Sequence, residues 1–165
     1  MKTKKLLLIY SIVLILIILF ATAFTSNIES WAIDMSLVIL LVIGLLITRK
    51  FFEFSKTSYS LIFIYFLLTV IGTFHGNAYS PIGFWIQEIF GFARNPYDRI
   101  VHFLFGIVWY FPIYEIFKGT SKIKNKFWLF FVPWAIVVGA AGMYEIIEWV
   151  GATIISHKEA GIFLG

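Results

Sequence analysis

Asp98 and His102 stand four residues apart in the run Tyr97-Asp98-Arg99-Ile100-Val101-His102. On a helix that spacing puts both side chains on one face. A carboxylate so placed either orients and charges the imidazole or shares a ligand with it. Glu145 and Glu148 form a second pair, three apart, in Met143-Tyr144-Glu145-Ile146-Ile147-Glu148-Trp149. These residue types suit two chemistries. A histidine beside carboxylates can act as general acid or base, with Asp98, His102, Glu145 and Glu148 as the catalytic candidates. Carboxylate oxygens with one imidazole also suit a divalent cation such as Mg, Mn or Zn, for which His102, Glu145 and Glu148 are the candidate ligands. Such a cation could hold a phosphate or activate water on it.

Arg94 and Arg99 flank Asp98, and a guanidinium grips a phosphate head group well. Glu115 lies thirteen residues beyond His102, about 20 Å further along a helix axis. It is either a second binding station or the partner of Lys118 in an interfacial ion pair. The alternative for the whole set is a saturated polar network that fixes helix packing. No glycine-rich phosphate loop, G-x-S-x-G elbow or H-E-x-x-H motif accompanies these residues. His75, at the outer end of the third span, either joins the site or is simply solvated, and His157 in the polar tail carries little information.

The elements that must position them follow from composition. The 165 residues are 61% hydrophobic, 20% aromatic and 13% charged, with no cysteine. Soluble domains carry roughly 45–50% apolar and about 25% charged residues. A soluble fold of this length could not hide so much apolar surface, so a soluble globular enzyme is excluded. Disorder is excluded as well. The absence of cysteine removes disulfides, thiolate metal sites and a cysteine nucleophile.

A hydrocarbon core of about 30 Å takes ~20 apolar residues in a helix. Five runs meet or approach that length: 6–24, 31–48, 59–74, 100–117 and 127–150. They are continuously apolar, which fits helices and not the alternating strands of a barrel. The expected fold is an all-α polytopic transmembrane helical bundle with about five spans, forming one integral membrane domain with no internal repeat.

Charge gives its orientation. Lys2, Lys4, Lys5, Arg49, Lys50, Lys56, Lys118, Lys122, Lys124 and Lys126 fall on one side, and Arg94, Arg99 and Lys158 on the other. Ten against three is a strong positive-inside signal, placing the N-terminus in the cytoplasm and the C-terminus outside. The net charge of +4 is thus spread through the loops and is not a nucleic-acid patch. Ala21-Thr22-Ala23 after the first apolar run resembles a signal-peptide cleavage site. The length of the run and the spans that follow favour an uncleaved first helix.

The outer loop 75–98 contains Gly76, Gly83, Gly91, Pro81 and Pro96, so it cannot be one straight helix. Its segment 84–90 is apolar but too short to span, and is expected to lie in the outer interface, either as a simple anchor or as a lid over an outward-facing site. In the fifth span, Gly139-Ala140-Ala141-Gly142 would allow close helix approach, and Pro133 could kink the helix. The fourth span runs inward and the fifth runs outward. Asp98 and His102 therefore fall at the membrane level of Glu145 and Glu148, and the short connecting loop makes the two helices neighbours.

Tyr97-Asp98-Arg99 with His102-Phe103 and Gly106, then Glu115, then Glu145-x-x-Glu148-Trp149, resembles the YjdF-like bacterial inner-membrane proteins, which are distantly similar to VanZ-like membrane proteins. The specific motifs lie in residues 94–149. The resemblance implies a multi-pass protein of the cell (inner) membrane and assigns no activity. Family members usually continue with a Gln-Gly-Asp stretch and a final hydrophobic helix, and the sequence given stops at Gly165, where that segment is expected to begin.

The functional expectation is a polar outer-leaflet site for a cation or a lipid head group, a polyprenyl phosphate included. The partners are the lipid bilayer and such a lipid, with no nucleic acid, and the oligomeric state is left open. Two alternatives remain. One is a proton- or cation-coupled transporter with Glu115 as its inner station, and the other is a non-catalytic structural subunit.

Overall fold

The computed structural model describes residues 3–25 and 28–154. The tail with His157 and Lys158 lies outside them. Among the described residues there are six α-helices and no strand: α1 (Thr3–Phe24), α2 (Ile28–Thr48), α3 (Lys56–His75), α4 (Pro81–Phe90), α5 (Tyr97–Thr120) and α6 (Lys126–Ile154). The protein is an all-α helical membrane protein. α1, α3, α5 and the Lys126–Ile147 part of α6 are each long and apolar enough to cross a bilayer, and α2 adds a shorter apolar stretch, Val38–Thr48. α1, α2, α3, α5 and α6 each cover one expected span and extend beyond it by a few residues at one end or both, and α4 lies in the expected outer loop.

The chain packs as two compact units, Met1–Gly76 and Asn77–Gly165. In the first unit α3 packs against both α1 and α2. That central position matches its composition. The α1 span has a mean hydropathy of 3.0 and is 6% buried, whereas α3 has 1.7 and is 50% buried. A helix that faces lipid must be apolar all round. One packed among helices can place polar groups against them. The Tyr10 and Ser60 hydroxyls accordingly share a hydrogen bond of 2.8 Å, and the Tyr10 and Phe63 rings stack at 4.1 Å. Trp31 donates its indole N–H to Thr22 Oγ1 at 3.0 Å.

The second unit contains the candidate site. α5 and α6 lie against each other, and α4 and a 3-10 turn at Asn77–Tyr79 pack on the start of α5. α4 begins with Pro81, whose missing N–H costs nothing at a first helical position. It ends at Gly91, which at φ 65° is left-handed and directs its N–H to the Gln87 carbonyl. Ten residues make a helix about 15 Å long, half of the hydrocarbon thickness. Trp85, Ile89 and Phe90 are 64%, 55% and 68% exposed, which suits an interfacial anchor.

Pro112 and Pro133 lie inside α5 and α6, and both are fully buried. Membrane helices tolerate such prolines because neighbouring groups satisfy the freed carbonyl. The small patch on α6 departs from expectation. A Cβ on Gly139 or Gly142 would meet nothing within 4 Å, so no described helix of the second unit sits against it. The α5–α6 contact runs along another face of α6, the one carrying buried Val137.

Candidate functional site

The corner between α4 and α5 sets the position of Asp98 and His102. Asn95 holds it. Its side-chain N–H donates to the Ser80 carbonyl at 2.9 Å, and its Oδ1 accepts the Tyr97 N–H at 3.0 Å. One amide thus caps the start of α5 and ties it to the residue preceding α4. Gly83 makes room for that amide, because a Cβ at Gly83 would collide with the Asn95 side chain. Tyr97, 2% exposed, seats the first turn of α5. Asn77 in the 3-10 turn then donates to Asp98 Oδ1 at 3.3 Å.

From that anchored turn α5 presents Asp98 and His102 one turn apart, with His102 Nε2 3.5 Å from Asp98 Oδ1. α6 brings Glu145 to the other side of the ring, where Oε1 lies 2.7 Å from His102 Nδ1. The imidazole is therefore clamped between two carboxylates on two helices. Its side chain is 22% exposed, against 28% for Asp98 and 63% for Glu145. The Tyr144 ring is 5.7 Å from the imidazole. When both ring nitrogens donate, the ring is an imidazolium between two anions. When one donates, a proton can enter at one nitrogen and leave from the other. Such a row, Asp98–His102–Glu145 with Glu145 at its exposed end, is chemically able to pass a proton.

Two cavities lie along α5, and His102 lines the second of them. The first, about 640 Å³, is lined by Arg94 and Arg99 together with Ile86, Phe90, Phe92 and Phe103 among others. Both arginines are exposed, and the charge of Arg94 reaches Asp98. The second, about 410 Å³, begins at His102 and Phe103 and follows the α5–α6 seam past Gly106, Tyr110 and Trp134. Two guanidiniums over apolar walls make the first cavity complementary to an anion that carries hydrocarbon.

The arrangement can be set beside known proteins. A family described as "Predicted membrane protein (DUF2238)" matches residues 6–165. The chain belongs to that family. It is 30% identical over 163 residues to "Inner membrane protein YjdF" of Escherichia coli (strain K12), covering 98% of this chain and 78% of that protein. No solved structure matches. This DUF2238 member is a multi-pass cell-membrane protein, as its long apolar helices and its inner-membrane relative together establish.

The structure brings Asp98, His102 and Glu145 of this family member into one cluster, with Arg94 and Arg99 beside it. The Glu148 side chain lies outside the described residues. Among the described residues, no group of three His, Cys, Asp or Glu side chains could hold a metal ion. Glu115 is half-buried and well separated from the cluster along α5. Its neighbour Lys118 stands over the Tyr114 ring at 5.9 Å. His75, at the exposed end of α3, is edge-on to Phe74 at 4.5 Å.

Sequence reading missed Asn77, Ser80, Gly83 and Asn95. Their role arises from irregular backbone folding back on itself, and the Asn95-Pro96 dipeptide, a turn initiator, was the one local signal. The Asn77 Oδ1 and Ser80 Oγ atoms are buried without a hydrogen-bond partner.

Proposed function

We propose that the second unit forms an outer-leaflet site for the phosphate head group of a membrane lipid. Arg94 and Arg99 hold the anion, and Asp98, His102 and Glu145 move a proton beside it. The observation that carries this reading is that both arginines line one otherwise apolar cavity at the start of α5, the turn that also carries Asp98. The lysine and arginine asymmetry supports the outer side.

His102 is the acid–base group in this reading. The head group competes for Nε2, whose contact with Asp98 at 3.5 Å is the longer of the two, while Glu145 keeps the ring oriented through Nδ1. A divalent cation, if used, would need Glu148 as a third ligand beside His102 and Glu145. A transport route toward Glu115 has less support. The groove below His102 is lined by Gly106, Ile107, Phe111, Trp134 and Val137, with Tyr110 alone offering a hydroxyl, and a proton path needs a polar lining.

The test measures anionic-lipid enrichment around the purified protein in bilayers mixing phosphatidylcholine and phosphatidylglycerol. Exposed ion pairs contribute about 0.2–1 kcal/mol each, so the two arginines together contribute about 1.4 kcal/mol. Replacing both by glutamine should therefore lower enrichment about tenfold. Unchanged enrichment in the folded double variant would overturn the reading. His102→Ala should retain head-group binding, and cells carrying it should differ in lipid profile from cells carrying wild type. Identical profiles would remove the acid–base role.

A further inference from the structure

The head-group reading leaves the α5–α6 groove without a use, although it adjoins the arginine cavity. Phe103 lines both cavities and is 70% exposed, so it forms their common wall. Below it, Ile107, Phe111, Trp134 and Val138 are 44%, 43%, 47% and 49% exposed. Gly106 sits between them with nothing within 4 Å of the position a Cβ would take. The missing side chain leaves the groove open where it starts beneath His102.

We propose that this groove holds one hydrocarbon chain of the same phosphate-headed lipid whose head Arg94 and Arg99 hold. The proposal rests on the head-group reading and extends it to a chain-length-selective amphiphile. Dimensions and polarity support this occupant. From Arg99 to Phe111 the helix rises about 18 Å, close to the roughly 15 Å depth of one hydrocarbon leaflet. Cationic groups lie at the interfacial end and aromatic and aliphatic walls continue inward, which is the polarity sequence of a lipid phosphate. A helix from a second copy would bury the apolar seam but would leave the two guanidiniums unmatched.

The experiment measures binding of phosphatidic acids with short and long chains to the full-length protein in detergent. Long-chain lipid should bind at least about tenfold tighter than short-chain lipid, because buried methylenes add affinity cumulatively. Gly106→Phe should reduce long-chain affinity to the short-chain level and leave short-chain binding unchanged. Val138→Phe, on the opposite wall, should act in the same direction and guards against misfolding of the first variant. The double arginine variant should weaken both lipids equally.

Chain-length-independent binding in wild type would overturn the proposal, as would wild-type selectivity in both groove variants. Cross-linking of Ile107 to its counterpart in a second copy would also overturn it, by showing a protein occupant. Failure of the short-chain lipid to bind at all, or its indifference to the arginines, would instead strike the head-group reading. A parallel series with prenyl phosphates identifies the source. Tighter prenyl binding assigns the groove to branched chains, and tighter phosphatidic acid binding assigns it to acyl chains.

Discussion

Removing Glu145 tests whether the imidazole clamp holds α5 against α6. Its contact with His102 Nδ1 is 2.7 Å, in the range of a charge-assisted hydrogen bond. A fully desolvated bond of that kind contributes about 1.5–3 kcal/mol. The Glu145 side chain is 63% exposed, and exposed ion pairs contribute only about 0.2–1 kcal/mol. Double-mutant cycles between membrane helices average about 0.6 and reach about 1.7 kcal/mol. These limits bracket the His102–Glu145 coupling at about 1 kcal/mol. The 3.5 Å contact to Asp98 is beyond good hydrogen-bond geometry, so its coupling should be about 0.3 kcal/mol. The assay is reversible unfolding in mixed micelles of His102→Ala, Glu145→Ala and Asp98→Ala, with the double variant that completes each of the two cycles. A His102–Glu145 coupling no larger than the His102–Asp98 coupling would refute the claim that Glu145 is the principal partner of the ring.

Gly83→Ala forces the Asn95 amide out of the space it occupies. It should destabilise the second unit by about 1–3 kcal/mol, the usual cost of overpacking, with most of that cost absent in an Asn95→Ala background. Reporter fusions in the 121–125 loop and the 92–95 loop should report cytoplasmic and external locations respectively. The opposite pattern would move the arginine cavity to the inner leaflet.

The sequence made the helices readable but drew them a few residues short, most plainly at the starts of α3 and α5. Hydropathy marks where the hydrocarbon core stops, whereas backbone hydrogen bonding continues into the interface. Lys56-Thr57-Ser58 therefore extends α3, with Ser55 capping it by accepting the Ser58 N–H at 3.2 Å. Tyr97-Asp98-Arg99 extends α5 in the same way. The meeting of His102 with Glu145 was readable from orientation, because α5 and α6 run opposite ways and share one short loop. The small patch on α6 was readable as composition but not as contact. Which face of a helix meets its neighbour depends on all the larger side chains competing for that seam, and here Val137 and its neighbours took it.

The part hidden from the sequence is the part that gives the site its shape. Arg94 and Arg99 form a shared cavity because α4 turns back and supplies Ile86 and Phe90 as a wall. α4 can do so because Gly91 adopts the left-handed conformation and Asn95 fits over Gly83. The same short helix that exposes Trp85 and Phe90 also walls the arginine cavity. On the proposed reading, head-group capture and interfacial anchoring share one element. A change that loosens α4, such as Gly83→Ala, should weaken anionic-lipid enrichment even though it touches neither arginine. Preserved enrichment in a variant whose α4 corner is demonstrably disrupted would show that the arginines act without the wall.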